Sequence, residues 1–212
     1  MPEPIVLDVT RCEQLPGLCG AATAQMILHF KGLTSSTVEI QRALWEQIQA
    51  NTAGQRPRGK IHEHDCPAFD NQKCERCRDD RLHTCWCTHP RALEATINDY
   101  LNPGVTFTLH RDGRTATAQA LASVDAKVPA AVLVYGWVHW LTVIGYTPGE
   151  GAGDDSTIII GGRPITEVYV CDPSTSAGKD HAMAVRTWLN FYLTFPVQCG
   201  EFVNQYPVIA SR

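Results

Sequence analysis

Gln14-Leu15-Pro16-Gly17-Leu18-Cys19-Gly20-Ala21-Ala22-Thr23-Ala24-Gln25-Met26-Ile27-Leu28-His29-Phe30-Lys31-Gly32 is the stretch on which the reading of this chain turns. An alanine-rich run carrying Met26, Ile27, Leu28 and Phe30, with Gly32 behind it, spells a buried helix ended by a glycine. Cys19 then stands at the helix N-terminus. A thiol attacks only as thiolate, and a helix N-terminus beside a protonated imidazole can lower a cysteine pKa by several units from about 8.5. Gly20 would let backbone or substrate come close to the sulfur, and Ala21 and Ala22 would let the helix pack tightly. The plain alternative is a buried structural cysteine, the commoner fate of Cys in an apolar helix. Taken alone, Cys19 favours that alternative.

A working thiol needs a base and something to orient the base, and the chain offers both downstream. His139 lies between two strand-like apolar runs, Ala130-Ala131-Val132-Leu133-Val134-Tyr135 and Leu141-Thr142-Val143-Ile144-Gly145-Tyr146. Asp172 follows another, in Val168-Tyr169-Val170-Cys171-Asp172-Pro173. Each has an ordinary reading: a histidine in a sheet is often a satisfied core group, and Asp-Pro commonly begins a turn. The conjunction is what carries weight. A helix-start Cys, a strand His and an acid at the end of a later strand can bring base to thiol and acid to the base's other ring nitrogen.

The remaining chain supplies a scaffold of helices first and strands later. Ser36-Thr37-Val38-Glu39 has capping-box spacing ahead of Val38, Ile40, Ala43, Leu44 and Ile48, which predicts a second helix to about Gln49. Pro90 opens a third with Leu93, Ile97 and Leu101, ended by Asn102-Pro103-Gly104. A strand over Val105–Leu109 and a helix over 115–126 follow. Strands are then expected over 130–136, 139–147, 157–160 and 166–171, with a hairpin loop from Gly149 to Asp155 and a turn at Gly161-Gly162-Arg163-Pro164. Met183 to Phe195 reads either as a helix or as two short segments. This order implies an α+β fold with an antiparallel sheet.

These motifs resemble the papain-like cysteine peptidase superfamily, in particular its bacterial papain-like and bacteriocin-leader-peptidase branch. The resemblance rests on Gln14 with Cys19-Gly20-Ala21-Ala22-Thr23-Ala24-Gln25-Met26-Ile27-Leu28, on His139-Trp140-Leu141-Thr142-Val143-Ile144-Gly145-Tyr146, and on Val168 to Pro173. It implies a papain-like fold in which the nucleophile's helix packs on a C-terminal antiparallel sheet. It also implies Cys19 as nucleophile, His139 as base, Asp172 as orienter, and Gln14 as oxyanion-hole donor beside the Cys19 N–H. An amide so aimed is worth on the order of 3 kcal/mol. Gln14 stands one residue closer to the cysteine than is usual in the family, so Pro16-Gly17 must make a tight turn.

The segment from Asn51 to His89 is read as an insertion in a single domain over 1–212. It has few aliphatic residues and five cysteines, Cys66, Cys74, Cys77, Cys85 and Cys87, out of nine in the chain. Cys74-Glu75-Arg76-Cys77 with Cys85-Trp86-Cys87 offers four soft ligands for a tetrahedral structural Zn²⁺. Cys66, His62, His64, His83 and His89 are alternative ligands. Four thiolates would leave no open position for catalysis, so no catalytic cofactor is expected. Eighteen basic against twenty-two acidic residues, net charge −4, give no overall field for nucleic acid or an anionic membrane. No basic n-region with an apolar h-region stands at the N-terminus and no apolar run approaches a membrane span, so a cytoplasmic protein is expected, or an effector delivered by another route. The expected activity is cleavage of a peptide or isopeptide bond in a protein or peptide substrate through a Cys19 acyl-enzyme. An amine in place of water would make the same residues a deamidase or acyltransferase. A binding module on this fold, with the zinc insertion as its contact surface, is the reading of another class.

Overall fold

The computed structural model of the chain describes residues 2–53, 88–136, 139–150, 157–174, 181–197, 202 and 204–211. Cys66, Cys74, Cys77, Cys85 and Cys87, together with His62, His64 and His83, lie outside the described residues, as does most of the loop expected before Asp155.

Four helices carry the expected signals. Helix α1 spans Cys19–Phe30 and α2 spans Val38–Ala53 with Glu39 in its first turn. Helix α3, Pro90–Asn98, has proline at its first position, and His89 Nδ1 caps it by accepting the Arg91 N–H at 3.2 Å. It stops short of Leu101 because the Asn98 side chain turns to the next strand, accepting the Val105 N–H at 2.7 Å and donating to the Val105 carbonyl at 3.1 Å. Helix α4, Gly113–Asp125, begins on Asp112, whose Oδ1 accepts the Thr115 N–H at 2.8 Å.

The strands are β1 Ile5–Val6, β2 Val105–His110, β3 Ala130–Val134, β4 His139–Pro148, β5 Ile159–Ile160, β6 Arg163–Cys171, β7 His181–Ala184 and β8 Tyr206–Ser211. They run in the order β2-β8-β3-β4-β6-β5, with β1 beside β4 and β7 beside β6, and all of these pairings are antiparallel. Side chains alternate across a strand, and here both faces are covered. Ala130, Val132 and Val134 of β3 pack with Ala116, Ala120, Leu121 and Val124 of α4. Their neighbours Ala131 and Leu133 pack with Ala21, Ala24, Ile27 and Leu28 of α1 and with Leu44, Ile48, Leu93 and Ile97 of α2 and α3. That double burial is why β3 reads as an unbroken apolar run rather than an alternating one.

The stretch from Met183 to Phe195 resolves into neither a single helix nor two simple segments. It finishes β7, makes one helical turn at Val185–Thr187 (α5), and continues as a π-helix over Trp188–Tyr192. The architecture sets the site through one register. Strands β4 and β6 pair with Thr142 opposite Cys171, so the start of β4 and the end of β6 lie level. His139 opens β4, Asp172 follows β6, and Cys19 opens α1, the helix packed on β4.

Candidate active site

The turn that delivers the cysteine is built from Leu15-Pro16-Gly17-Leu18. The Leu18 N–H donates to the Leu15 carbonyl at 2.9 Å and Gly17 has φ of 74°, a left-handed conformation that glycine adopts without strain. Leu18 then precedes α1 and makes no side-chain cap, so it leaves the N–H groups of the first helical turn uncapped by the residue before them. Cys19 itself is buried. The tolerance for close approach expected of Gly20 is used, though not by backbone or substrate: a Cβ there would land inside the Thr88 side chain. Thr88 also reaches the other half of the site, because its carbonyl accepts the Trp140 Nε1–H at 3.3 Å. One buried threonine thus touches the neighbour of Cys19 and the neighbour of His139.

His139 Nε2 meets Asp172 Oδ1 at 2.8 Å. Cys19, at the start of α1, lies close enough to the same ring to raise its pKa. Burial is the largest influence on His139 and acts to lower its pKa, but the hydrogen bonds and charges of Asp172 and Cys19 outweigh it and raise the imidazole to about 9. For Asp172 burial is again the largest influence and acts upward. The His139 hydrogen bond and charge, with two bonds from Ser174, reverse it and bring the carboxyl to about 2. Those Ser174 bonds both end on Oδ1, from the N–H at 2.8 Å and the hydroxyl at 2.7 Å.

Gln14 is joined to this centre through its backbone: its N–H donates to the Pro173 carbonyl at 3.0 Å. Arg11 grips the same turn, with Nε donating to the Asp172 carbonyl at 3.1 Å and Nη2 to that of Pro173 at 3.3 Å. On the other side stands Gln41 from α2. Its Oε1 accepts the Leu15 N–H at 2.6 Å and its Nε2 donates to the Glu13 carbonyl at 2.9 Å, so both flanks of Gln14 are held by one side chain. Gln41 Nε2 also donates to Oε1 of fully buried Gln25 at 3.1 Å, and Gln25 donates to the carbonyls of Ser35 and Thr37 at 3.0 and 2.7 Å. The Gln14 side-chain Oε1 is buried and finds no hydrogen-bond partner among the described residues.

Four residues around the site went unread in the sequence: Arg11, Gln41, Ser174 and Tyr135. Gln41 carried a usable signal, since it sits in the stripe of Ile40, Leu44 and Ile48 where a polar side chain is out of place. Tyr135 has φ of 56°, and its ring stacks on His139 with centroids 6.4 Å apart and planes 23° from parallel. Burial first, then a shared hydrogen bond with Tyr192 and the Asp172 charge, push its phenol well above the usual range.

Among the described residues no group of three or more His, Cys, Asp or Glu gathers to hold a metal, and Cys12 and Cys19 are free thiols. The expected zinc quartet Cys74, Cys77, Cys85 and Cys87 lies outside the described residues. His89, an alternative ligand, is buried, with Nδ1 committed to the α3 cap and its ring against Phe202 at 5.5 Å.

No protein-family model and no curated protein sequence matches the chain. Among solved structures it is similar to a candidate C39-like peptidase from Bacillus anthracis, with 14% identity over 99% of this chain and 98% of that one and a TM-score of 0.53. It is also similar to a double-glycine-motif protease from an AMS/PCAT transporter, solved in complex with the leader peptide, with 12% identity over the full length of both and a TM-score of 0.46. The first of these two structures shows the papain-like fold that the three sequence blocks implied.

Proposed function

We propose that the chain is a cysteine peptidase that cleaves a peptide bond through an acyl-enzyme on Cys19. The observation that carries this is the imidazole of His139 held at Nε2 by Asp172 at 2.8 Å, close enough to Cys19 at the N-terminus of α1 for that residue to raise the imidazole pKa. Each residue has a task in that reaction. The Cys19 thiol passes its proton to His139, and the thiolate sulfur attacks the scissile carbonyl carbon, its electron pair forming the C–S bond while the carbonyl π pair moves to oxygen. The oxyanion collects donors from the Cys19 N–H and the Gln14 amide, whose flanking backbone Gln41 holds in place. As the C–N bond breaks, His139 gives its proton to the leaving amine and a thioester remains. Water then attacks the thioester while His139 takes its proton, the C–S bond breaks to release the acid product, and the thiolate–imidazolium pair is restored. Asp172 keeps the ring oriented throughout and does not itself take the proton.

A leader peptide, as bound by the double-glycine-motif protease, and peptides carrying a double-glycine motif are the first ones to test. Wild type should cut and Cys19→Ala should fall by about 10⁴-fold or more, as expected when a nucleophile is removed. Cleavage at an unchanged rate by the alanine variant would remove Cys19 from the mechanism.

A further inference from the structure

The chemistry above fixes which half of a substrate lies beside which residue. The amine that leaves must take its proton from His139, so the departing, C-terminal half of the substrate runs past the imidazole, while the acyl half stays on Cys19. Next to that imidazole the structure presents an aromatic surface that the mechanism does not use. Tyr135 stacks on His139, and Phe191 meets Tyr135 edge-on at 5.9 Å with planes 88° apart. Phe191 is 63% exposed, more than any other large apolar side chain among the described residues. It also packs on Tyr192 at 5.6 Å, which in turn lies 5.2 Å from Tyr135.

The backbone holds this arrangement at a cost. Tyr135 occupies a left-handed conformation that non-glycine residues seldom adopt and that costs on the order of 1 kcal/mol. Its N–H donates to the Tyr192 carbonyl at 2.9 Å, which ties the β3–β4 turn to the π-helix carrying Phe191. π-Helical turns are rare and occur often at functional sites. Phe191 reaches the base through Tyr135, and among the described residues its exposed ring offers uncovered apolar surface beside the ring that stacks on His139.

We infer that Tyr135 and Phe191 form a specificity subsite for the leaving half of the substrate, taking a large apolar or aromatic side chain within two residues C-terminal to the cleaved bond. This inference rests on the peptidase reading and names the substrate class for it. Ring-on-ring contact of this kind is worth about three- to tenfold in selectivity. Because the leaving half is gone once the thioester forms, the subsite acts on acylation and leaves hydrolysis of the thioester untouched.

The test is digestion of a peptide library randomised on both sides of the bond, with the residues flanking each cut read by mass spectrometry, for wild type, Phe191→Ser and Phe191→Trp. The expected result is about three- to tenfold enrichment of Phe, Tyr, Trp, Leu and Met within two positions after the cut in wild type. It should be kept by Phe191→Trp and flattened by Phe191→Ser, with the thioester hydrolysis rate equal in all three. Cleavage without that enrichment, or enrichment that survives Phe191→Ser, overturns the subsite and leaves the peptidase reading standing. An absence of any cut by wild type overturns both.

Discussion

His139 and Asp172 hold each other's charge. The imidazole, raised to about 9, stays protonated across the neutral range, and the carboxyl, lowered to about 2, stays ionised there. The proton that the leaving amine needs is therefore present up to about pH 9 and lost above it, so turnover should fall on the alkaline side with a midpoint near that value. Asp172→Asn removes a hydrogen bond and a charge that both raise the imidazole, so the alkaline limb should move toward neutral pH while turnover drops by about 10²-fold. A pH–rate profile of the variant with its alkaline limb in place would contradict the pairing. Cys19, His139 and Asp172 stood out as candidates because each side-chain type carries its own chemistry and the three stand in a workable order; the structure brings His139 and Asp172 into hydrogen-bond contact. Ser174 was not, because a serine serving one carboxylate looks like any serine after a turn. Gln14 was legible only by resemblance; what fixes its backbone is Gln41, 27 positions away.

Between elements, the contact that matters most to the site is that of Thr88 with α1 and β4. The Thr88 side chain fills the place a Cβ on residue 20 would take, and its carbonyl bonds Trp140. Gly20→Ala should therefore destabilise the fold by about 1–3 kcal/mol through overpacking. Thr88→Gly in the same chain should recover part of that loss, a non-additivity read as Tm in a double-mutant cycle. Additive losses would mean that the two residues do not meet. Helices α1 to α4 were legible from apolar period and capping, but their ends were less so: α2 runs on to Ala53 rather than stopping near Gln49, and α3 stops at Asn98, whose side chain makes a tertiary bond that no local signal reports. Strand β8 was missed. It sits between β2 and β3 yet contains Pro207, which argues against an inner strand. The register removes the conflict: Pro207 pairs only with Leu109 of β2, while β3 pairs with Val208 and Ile209 beyond it.

At the scale of the molecule, the α+β class and the antiparallel sheet followed from the order of elements, and the papain-like fold from three short blocks. Coverage of both sheet faces was not apparent, because a fully buried strand such as Ala130–Val134 looks the same whichever layer lies above it. The aromatic surface at Phe191 was equally hidden, since it depends on a π-helix and on one tyrosine in a left-handed turn. The whole arrangement brings a helix start and two strand ends to one place, where the proposed function needs Cys19 and His139 to act as a pair. The most direct test is the alkylation rate of Cys19 by iodoacetamide from about pH 5 to about pH 10, read by peptide mass spectrometry for wild type and His139→Ala. The account predicts labelling at neutral pH that favours Cys19 over Cys12 and Cys171 and slows by at least about tenfold without the imidazole. An equal rate in the variant would contradict it.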